Sequence, residues 1–251
     1  MGVSQANLSE PWRILMNQEL KEEAARYPDM QVVFADAAGS NERQVQDINR
    51  LRQLGVDLMI ISPNDAIRLA PSIVEAYGHI PIILLDRAVE GYNYTLFIGP
   101  DNRLIGDRIG RYVAGLPQLT GKPRPLVLEI QGSQGSPPVT DRSSGFRSAL
   151  RKATGVEVGE VIIADWLRDR AEDELKAYLA DGRVPDLIFA QNDHMAFGAW
   201  RALPEAARRA SALVGIDGLP GPDGGLDLVW RGVLSATVTC PTGGREAIIY
   251  A

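Results

Sequence analysis

Apolar residues in this chain fall in short blocks that alternate with longer stretches where they recur every three or four positions. The blocks are "GVSQA" (2–6), "QVVFAD" (31–36), "DLMIISP" (57–63), "PIILLD" (81–86), "TLFIGP" (95–100), "PLVLEIQG" (125–132), "EVIIAD" (160–165), "DLIFAQND" (186–193), "ALVGIDG" (212–218) and "LSATVTC" (234–240). Their length and β-branched content predict strands. Between them the spacing predicts helices. Residues 11–27 place Ile14, Leu15, Leu20 and Ala24 on one stripe, and 41–54 do so with Val45, Ile48, Leu51 and Leu54. Tyr27-Pro28, "RQLGVD" and "DGRVPD" supply stops and turns. Strand–helix alternation on this scale predicts an α/β fold of βαβ units, with parallel sheet covered on both faces.

A coarse internal echo suggests two such sheets. "VDLMIISPNDA" (56–66) resembles "PDLIFAQNDHMA" (185–196), and in each an apolar block ends in Asn-Asp before a helical pattern. Asn-Asp is also a good helix N-cap in its own right, so the echo alone leaves both readings open. With two halves, the chain crosses between them near "IGPDNRLIG" (98–106) and "GVLSATVT" (232–239). That predicts a discontinuous first lobe of residues 1–102 and 237–251, and a second lobe of residues 103–236.

Composition narrows the class. A chain of 251 residues holds one large α/β domain or two lobes. The net charge of −6 argues against a nucleic-acid-binding surface. No apolar run approaches membrane-spanning length. A single cysteine, Cys240, excludes an internal disulfide, which suits the cytosol and an unstapled periplasmic protein equally. "MGVSQA" has neither the charged nor the apolar region of a signal peptide, and "PTGGREAIIYA" stops within a helical pattern. The chain therefore reads as an excised piece of something longer.

The chemistry gathers where strands end. Asp86-Arg87, Asp165-Trp166, Asn192-Asp193 and Asp217 each follow an apolar block. The loop "NLSEPWR" adds Glu10, Trp12 and Arg13 after the first one. Ligands of open parallel sheets sit beyond the carboxyl ends of strands. Carboxylates, an amide, guanidinium forks and tryptophans, without a good nucleophile or metal cluster, suit a polyol: the polar groups meet hydroxyls and the flat rings cover C–H surface. Each residue also has a purely structural reading. Asp86 could cap a helix, Asp217 could hold the turn "DGLPG", and the tryptophans could be rim packing. Glu10 and Asp86 could be imagined as a glycosidase pair, but nothing in the sequence separates their pKa values. His79 reads as a loop residue and His194 as rim, and there is no P-loop, no dinucleotide fingerprint and no Cys/His metal spacing. No cofactor, metal or catalytic residue is expected.

Taken in order, "GVSQANLSEPWR", "LLDRAVEG", "IGPDNRLIG", "DRSSGF", "FAQNDHMAFGA", "VGIDG" and "LSATV" make the chain resemble the ribose-type periplasmic sugar-binding proteins over essentially its whole length. The resemblance implies the type I periplasmic-binding fold, two doubly wound parallel-sheet lobes joined by a hinge, closing on a monosaccharide in the cleft between them. It implies Trp12 as an aromatic wall, Arg13 as a hydroxyl donor, Asp86 and Arg87 as the clamp from the first lobe, and Asn192, Asp217 and Trp166 as their counterparts from the second. Two positions depart from the ribose pattern. Thr140 stands where a ligand-binding Arg is expected, and Thr239-Cys240 where a ligand Gln is expected. Arg142 keeps the family's place, with a role that is either ligand-binding or structural. "WR" and "SPPVTDRSSGF" look most like furanose-binding members, galactofuranose-type proteins among them, and "ATVTCPTGGREAI" like sugar-sensing domains of hybrid histidine kinases. The implied function is extracytoplasmic sensing of a furanose, ketose or pentose-like sugar for a membrane histidine kinase. Alternatives are the solute-binding protein of a sugar ABC transporter with its permease, and the effector core of a LacI-type repressor. Sensor domains of this kind often act as homodimers, although no seam is legible in one sequence.

Overall fold

A computed structural model describes residues 1–251 and divides them into two compact units. One comprises Met1–Pro100, Gly135–Pro137 and Pro241–Ala251, the other Asp101–Gln134 and Pro138–Cys240.

In the first unit β1 (Gly2–Gln5), β2 (Val33–Asp36), β3 (Met59–Ile61), β4 (Ile82–Leu85) and β5 (Leu96–Ile98) form one parallel sheet in the order β2-β1-β3-β4-β5. Helices α1 (Pro11–Ala24), α2 (Asn41–Gln53) and α3 (Ala66–Tyr77) make the crossovers. β3 and β4 are buried at every position, as expected of all-apolar strands covered on both faces. Ile48, Leu51, Leu69 and Ile73 from α2 and α3 close one face of this core. Each such side chain contributes about 1.5–3 kcal/mol by leaving water.

The second unit repeats the plan. It runs α4 (Asn102–Val113), α5 (Pro117–Thr120), β6 (Val127–Gln131), α6 (Pro137–Thr154), β7 (Glu160–Ile163), α7 (Arg168–Leu179), β8 (Leu187–Ala190), α8 (Asp193–Ala202), α9 (Glu205–Ala210), β9 (Ala212–Asp217), α10 (Gly225–Trp230) and β10 (Ala236–Thr239). Its parallel sheet has the order β10-β9-β8-β6-β7. Counted within each unit, both sheets place the second strand beside the first and the third on the first strand's other side. The two Asn-Asp dipeptides thus follow equivalent strands, β3 and β8. The chain then ends in α11 (Gly244–Ile249), which packs on α1 in the first unit.

Four expectations need correction. The return to the first unit comes after Cys240, not at residue 237, because β10 pairs with β9 from Ala236 opposite Val214 to Thr239 opposite Asp217. The outward crossing comes after Pro100, since Asp101 already caps α4 by accepting from Leu104 N. The stripe assigned to α1 is displaced as well. Ile14 is exposed, and Trp12, Arg13, Met16, Leu20 and Glu23 take the inner face. Counting apolar residues misplaces a helix whose buried side carries an arginine and a glutamate. Leu54, the C-cap of α2, is likewise exposed, while the polar Gln44 is buried.

Candidate functional site

In a doubly wound sheet the ligand crevice lies beyond the strand carboxyl ends, beside the point where strand order reverses. In the first unit that point lies between β1 and β3. Arg13, in the first turn of α1, is 1% exposed. It donates to Ser62 Oγ (2.9 Å) after β3 and to Asp86 Oδ2 (3.1 Å) after β4. Its Nε lies 3.7 Å from Glu10 Oε1, and Glu10 also accepts from Asn7 Nδ2 at 2.8 Å. Arg87 reaches the other way, to the carbonyls of Pro63 (3.3 Å) and Asn64 (2.6 Å), with its Nε 3.6 Å from Asp86 Oδ2. Asp86 is therefore a buried carboxylate flanked by two buried guanidinium groups, and this pairing is what makes burial of the charges tolerable. Trp12 is buried on the same turn as Arg13. Glu10, Trp12, Arg13, Asp86 and Arg87 thus come together in one unit, with Ser62 as a member that the sequence pattern did not single out.

The backbone at Asp86 is unusual. Its φ is 71°, and Arg87 N donates to Leu85 O at 2.9 Å across it, giving the rare positive-φ γ-turn. Asp86 N is held by Ile98 O at 2.8 Å. The strand therefore reverses direction abruptly and presents the Asp86 side chain at its tip.

In the second unit the reversal lies between β6 and β8. After β7, Leu167 N donates to Ala164 O (2.8 Å), closing a turn whose central residues, Asp165 and Trp166, have φ of 49° and 68°. Turns with positive φ at both central positions normally carry Asn or Gly there. A tryptophan in this place is held by packing. A Cβ on Gly132 would lie 2.0 Å from the indole, and the Arg142 guanidinium stacks 5.6 Å from the ring centroid. Asn192 caps α8, accepting from Met195 N (2.7 Å) and donating to Trp166 O (3.3 Å). Asp217 closes β9, buried, with φ of 123°. Trp166, Asn192 and Asp217 thus mark the strand ends of one sheet. Asp165 is ion-paired with Arg170, and Thr140 is exposed in the first turn of α6.

Arg142 donates to Asn102 Oδ1 (2.7 Å), to Gln191 O and to Cys240 Sγ (3.4 Å). It ties α4, β8 and the end of β10 together, which gives it a structural role inside this unit. Below it Gln191 Nε2 donates to Glu129 Oε1 (2.9 Å) and Val139 O (3.1 Å), and Arg147 holds the other oxygen of Glu129. This network, and Gln44 donating to Ser62 O (2.9 Å) in the first unit, went unrecognised because buried polar residues leave no periodic signal. Asp193 stands in the sequence both among the polar strand ends and as half of a capping dipeptide, and the structure gives it a buried place of its own. Burial pushes its carboxyl up to about 7, against the Thr237 hydroxyl, the Gly218 N–H and Arg142, all of which favour the charged form. Two surface cavities, of about 430 and 460 Å³, are lined by other residues, the first by Arg103, Arg147 and Arg151, the second around Met1 and Tyr27.

Residues 1–246 match the periplasmic binding protein domain. The chain belongs to that family. Galactofuranose-binding protein YtfQ of Escherichia coli is 29% identical over 230 residues, 88% of this chain and 71% of that protein. The fructose-binding periplasmic domain of a hybrid two-component system superposes with a TM-score of 0.91 at 37% identity, over 99% of this chain and 82% of that one. A Bacillus halodurans ABC transporter solute-binding protein with bound myo-inositol gives 0.91 at 28%, over 99% and 85%. The fold is the family's α/β type I architecture. Members of the family are periplasmic binding proteins rather than enzymes, and this chain is a binding domain. The imagined glycosidase pair falls away with this: Asp86 accepts from Arg13, and Glu10 lies 3.7 Å from the same guanidinium and accepts from Asn7.

Proposed function

We propose that the chain binds a monosaccharide in the periplasm, and that Arg13, Asp86, Trp12, Trp166, Asn192 and Asp217 touch it. The observation that carries this reading is backbone strain in side-chain-bearing residues. Asp86, Trp166 and Asp217 all hold positive φ at the ends of β4, β7 and β9. Such conformations cost about 1–3 kcal/mol each, and glycine would relieve the cost at every one. Retaining two carboxylates and an indole there is reasonable if the side chains serve a ligand. Their chemistry fits vicinal hydroxyls and the C–H face of a sugar. Glu10, Arg87 and Asp165 are further candidate contacts, each also engaged by a neighbour on its own unit, as Arg13, Asp86 and Asn192 are. Thr140 remains a candidate contact in place of the ribose-type arginine, and with Arg13 it favours a furanose or ketose.

The role we infer is sensing for a membrane histidine kinase. The 37% identity to a fructose-binding domain of a hybrid two-component system supports it. The second reading, delivery to an ABC transporter permease, rests on the ABC transporter solute-binding protein carrying myo-inositol at 28% identity. Both readings share one test. Thermal melts with D-fructose, D-ribose, L-arabinose, D-galactose and myo-inositol should show at least one concentration-dependent rise, worth about 2.7 kcal/mol at a hundredfold excess over Kd. Asp86→Asn should abolish that rise. Identical melts in every sugar would reject the proposal.

A further inference from the structure

Asp193 is buried at the first position of α8, directly after Asn192. Its Oδ2 accepts from Gly218 N at 2.7 Å, and Gly218 directly follows Asp217. A Cβ on Gly215 would lie 2.1 Å from its Oδ1, and one on Gly225 would lie 1.9 Å from its Oδ2. The carboxyl group therefore occupies space left by two absent side chains, one on β9 and one at the start of α10. Thr237 of β10 stands opposite Gly215 in the ladder. One side chain of α8 thus meets β9, the turn after it and α10. An uncompensated buried carboxyl group costs several kcal/mol, so a site shaped around one needs a reason. The reason lies in its neighbours. Asp217 has a φ of 123°, which an L-residue leaves readily unless the next peptide plane is held.

We propose that Asp193 is a positioning residue, which fixes the carboxylate of Asp217 through the Gly218 N–H and locks it in register with Asn192, one residue before it in the chain. This rests on the reading of Asp217 as a sugar contact. Asp193 itself touches no sugar. It acts by making two contact-bearing backbone segments one rigid piece, so that ligand binding need not order them.

The test compares wild type with Asp193→Ala, Asp193→Asn, Asp217→Ala and the Asp193→Ala/Asp217→Ala double variant. Affinity is measured by calorimetry with the five compounds named above, and amide hydrogen exchange is followed at Gly218. Asp193→Ala should weaken binding at least about tenfold, the worth of one well-placed hydrogen bond, and speed Gly218 exchange by a similar factor. Asp193→Asn should restore both, because its side-chain oxygen accepts the same bond. The double variant should bind no worse than Asp217→Ala alone. If Asp193→Ala does not fold, Asp193→Ser, too short to reach Gly218, replaces it. Wild-type affinity in the alanine variant, or equal loss in the alanine and asparagine variants, would overturn the inference. If wild type binds none of the compounds, the sugar reading fails separately. Gly218 exchange then decides alone: unchanged protection in Asp193→Ala still overturns the positioning role.

Discussion

Asp86 combines backbone strain with charge balance, and the proposed function adds a sugar hydroxyl to the same carboxylate. From sequence, Asp86→Ala is expected to abolish binding and spare the fold, on the view that only Arg87 loses a companion. The structure changes that expectation. Arg13, 1% exposed, also pairs with Asp86, and removing one partner of a buried pair costs about 3–5 kcal/mol. Glu10, 3.7 Å from Arg13 Nε, and Ser62 offset part of this. Asp86→Ala should therefore lower stability by about 2–4 kcal/mol in urea denaturation. Asp86→Gly loses the same charge but suits a φ of 71°, so it should be about 1 kcal/mol more stable than the alanine variant. An alanine variant as stable as the glycine one would show that the γ-turn carries no strain.

At the scale of elements, strands are legible and helix faces only in part: Leu20 and Ala24 of α1 and Ile48 and Leu51 of α2 are buried as expected, while Ile14 and Leu54 are exposed. All ten apolar blocks contain a strand, since short β-branched runs have few alternatives. The rest of the inner face of α1 is hidden from a period count because Arg13, Asn17 and Glu23 are buried there, and buried polar residues look like solvent-facing ones. The Asn-Asp echo was legible as a repeat but concealed a division of labour. After β3 the cap is the aspartate: Asp65 Oδ1 accepts from Ile67 N (2.9 Å) and Arg68 N (3.0 Å). After β8 the cap is the asparagine, which moves Asp193 one place inward and into the interior. One dipeptide, read one residue out of phase, thus makes an ordinary cap in one unit and a buried acid in the other. The strand ends are legible because their polar residues interrupt apolar runs, whereas the positive φ at Asp86, Trp166 and Asp217 has no sequence signature when Asp or Trp bears it. Asp65→Ala should cost about 1 kcal/mol in urea denaturation, the ordinary value of a cap. A loss above about 3 kcal/mol would mean that Asp65, too, does more than cap a helix.

For the molecule as a whole, these groups give stability an asymmetric dependence on pH. Surface carboxylates such as Asp169 and the partly buried Asp227 have pKa values lowered by hydrogen bonds from Arg168 and Arg231. Groups of this kind stabilise the fold above their unfolded pKa and lose that contribution as pH falls through the folded one, so they act only on the acid side. Asp193 acts with the opposite sign. Its folded pKa is raised by burial from 3.8 to about 7, so the native state keeps a proton that the unfolded chain has already released. Stability is therefore full below pH 3.8 as far as this group is concerned, falls as pH rises toward about 7, and is level above that. The slope within the window is on the order of 1.4 kcal/mol per pH unit. Urea midpoints measured from pH 4.5 to 8 should decline for wild type up to neutrality and then flatten. Asp193→Asn, which carries no titrating proton at that position, should remove most of the decline. A wild-type midpoint that is flat from pH 5 to 7 would mean that Asp193 is charged in the folded protein, held by Arg142, Thr237 and the Gly218 N–H strongly enough to outweigh its burial.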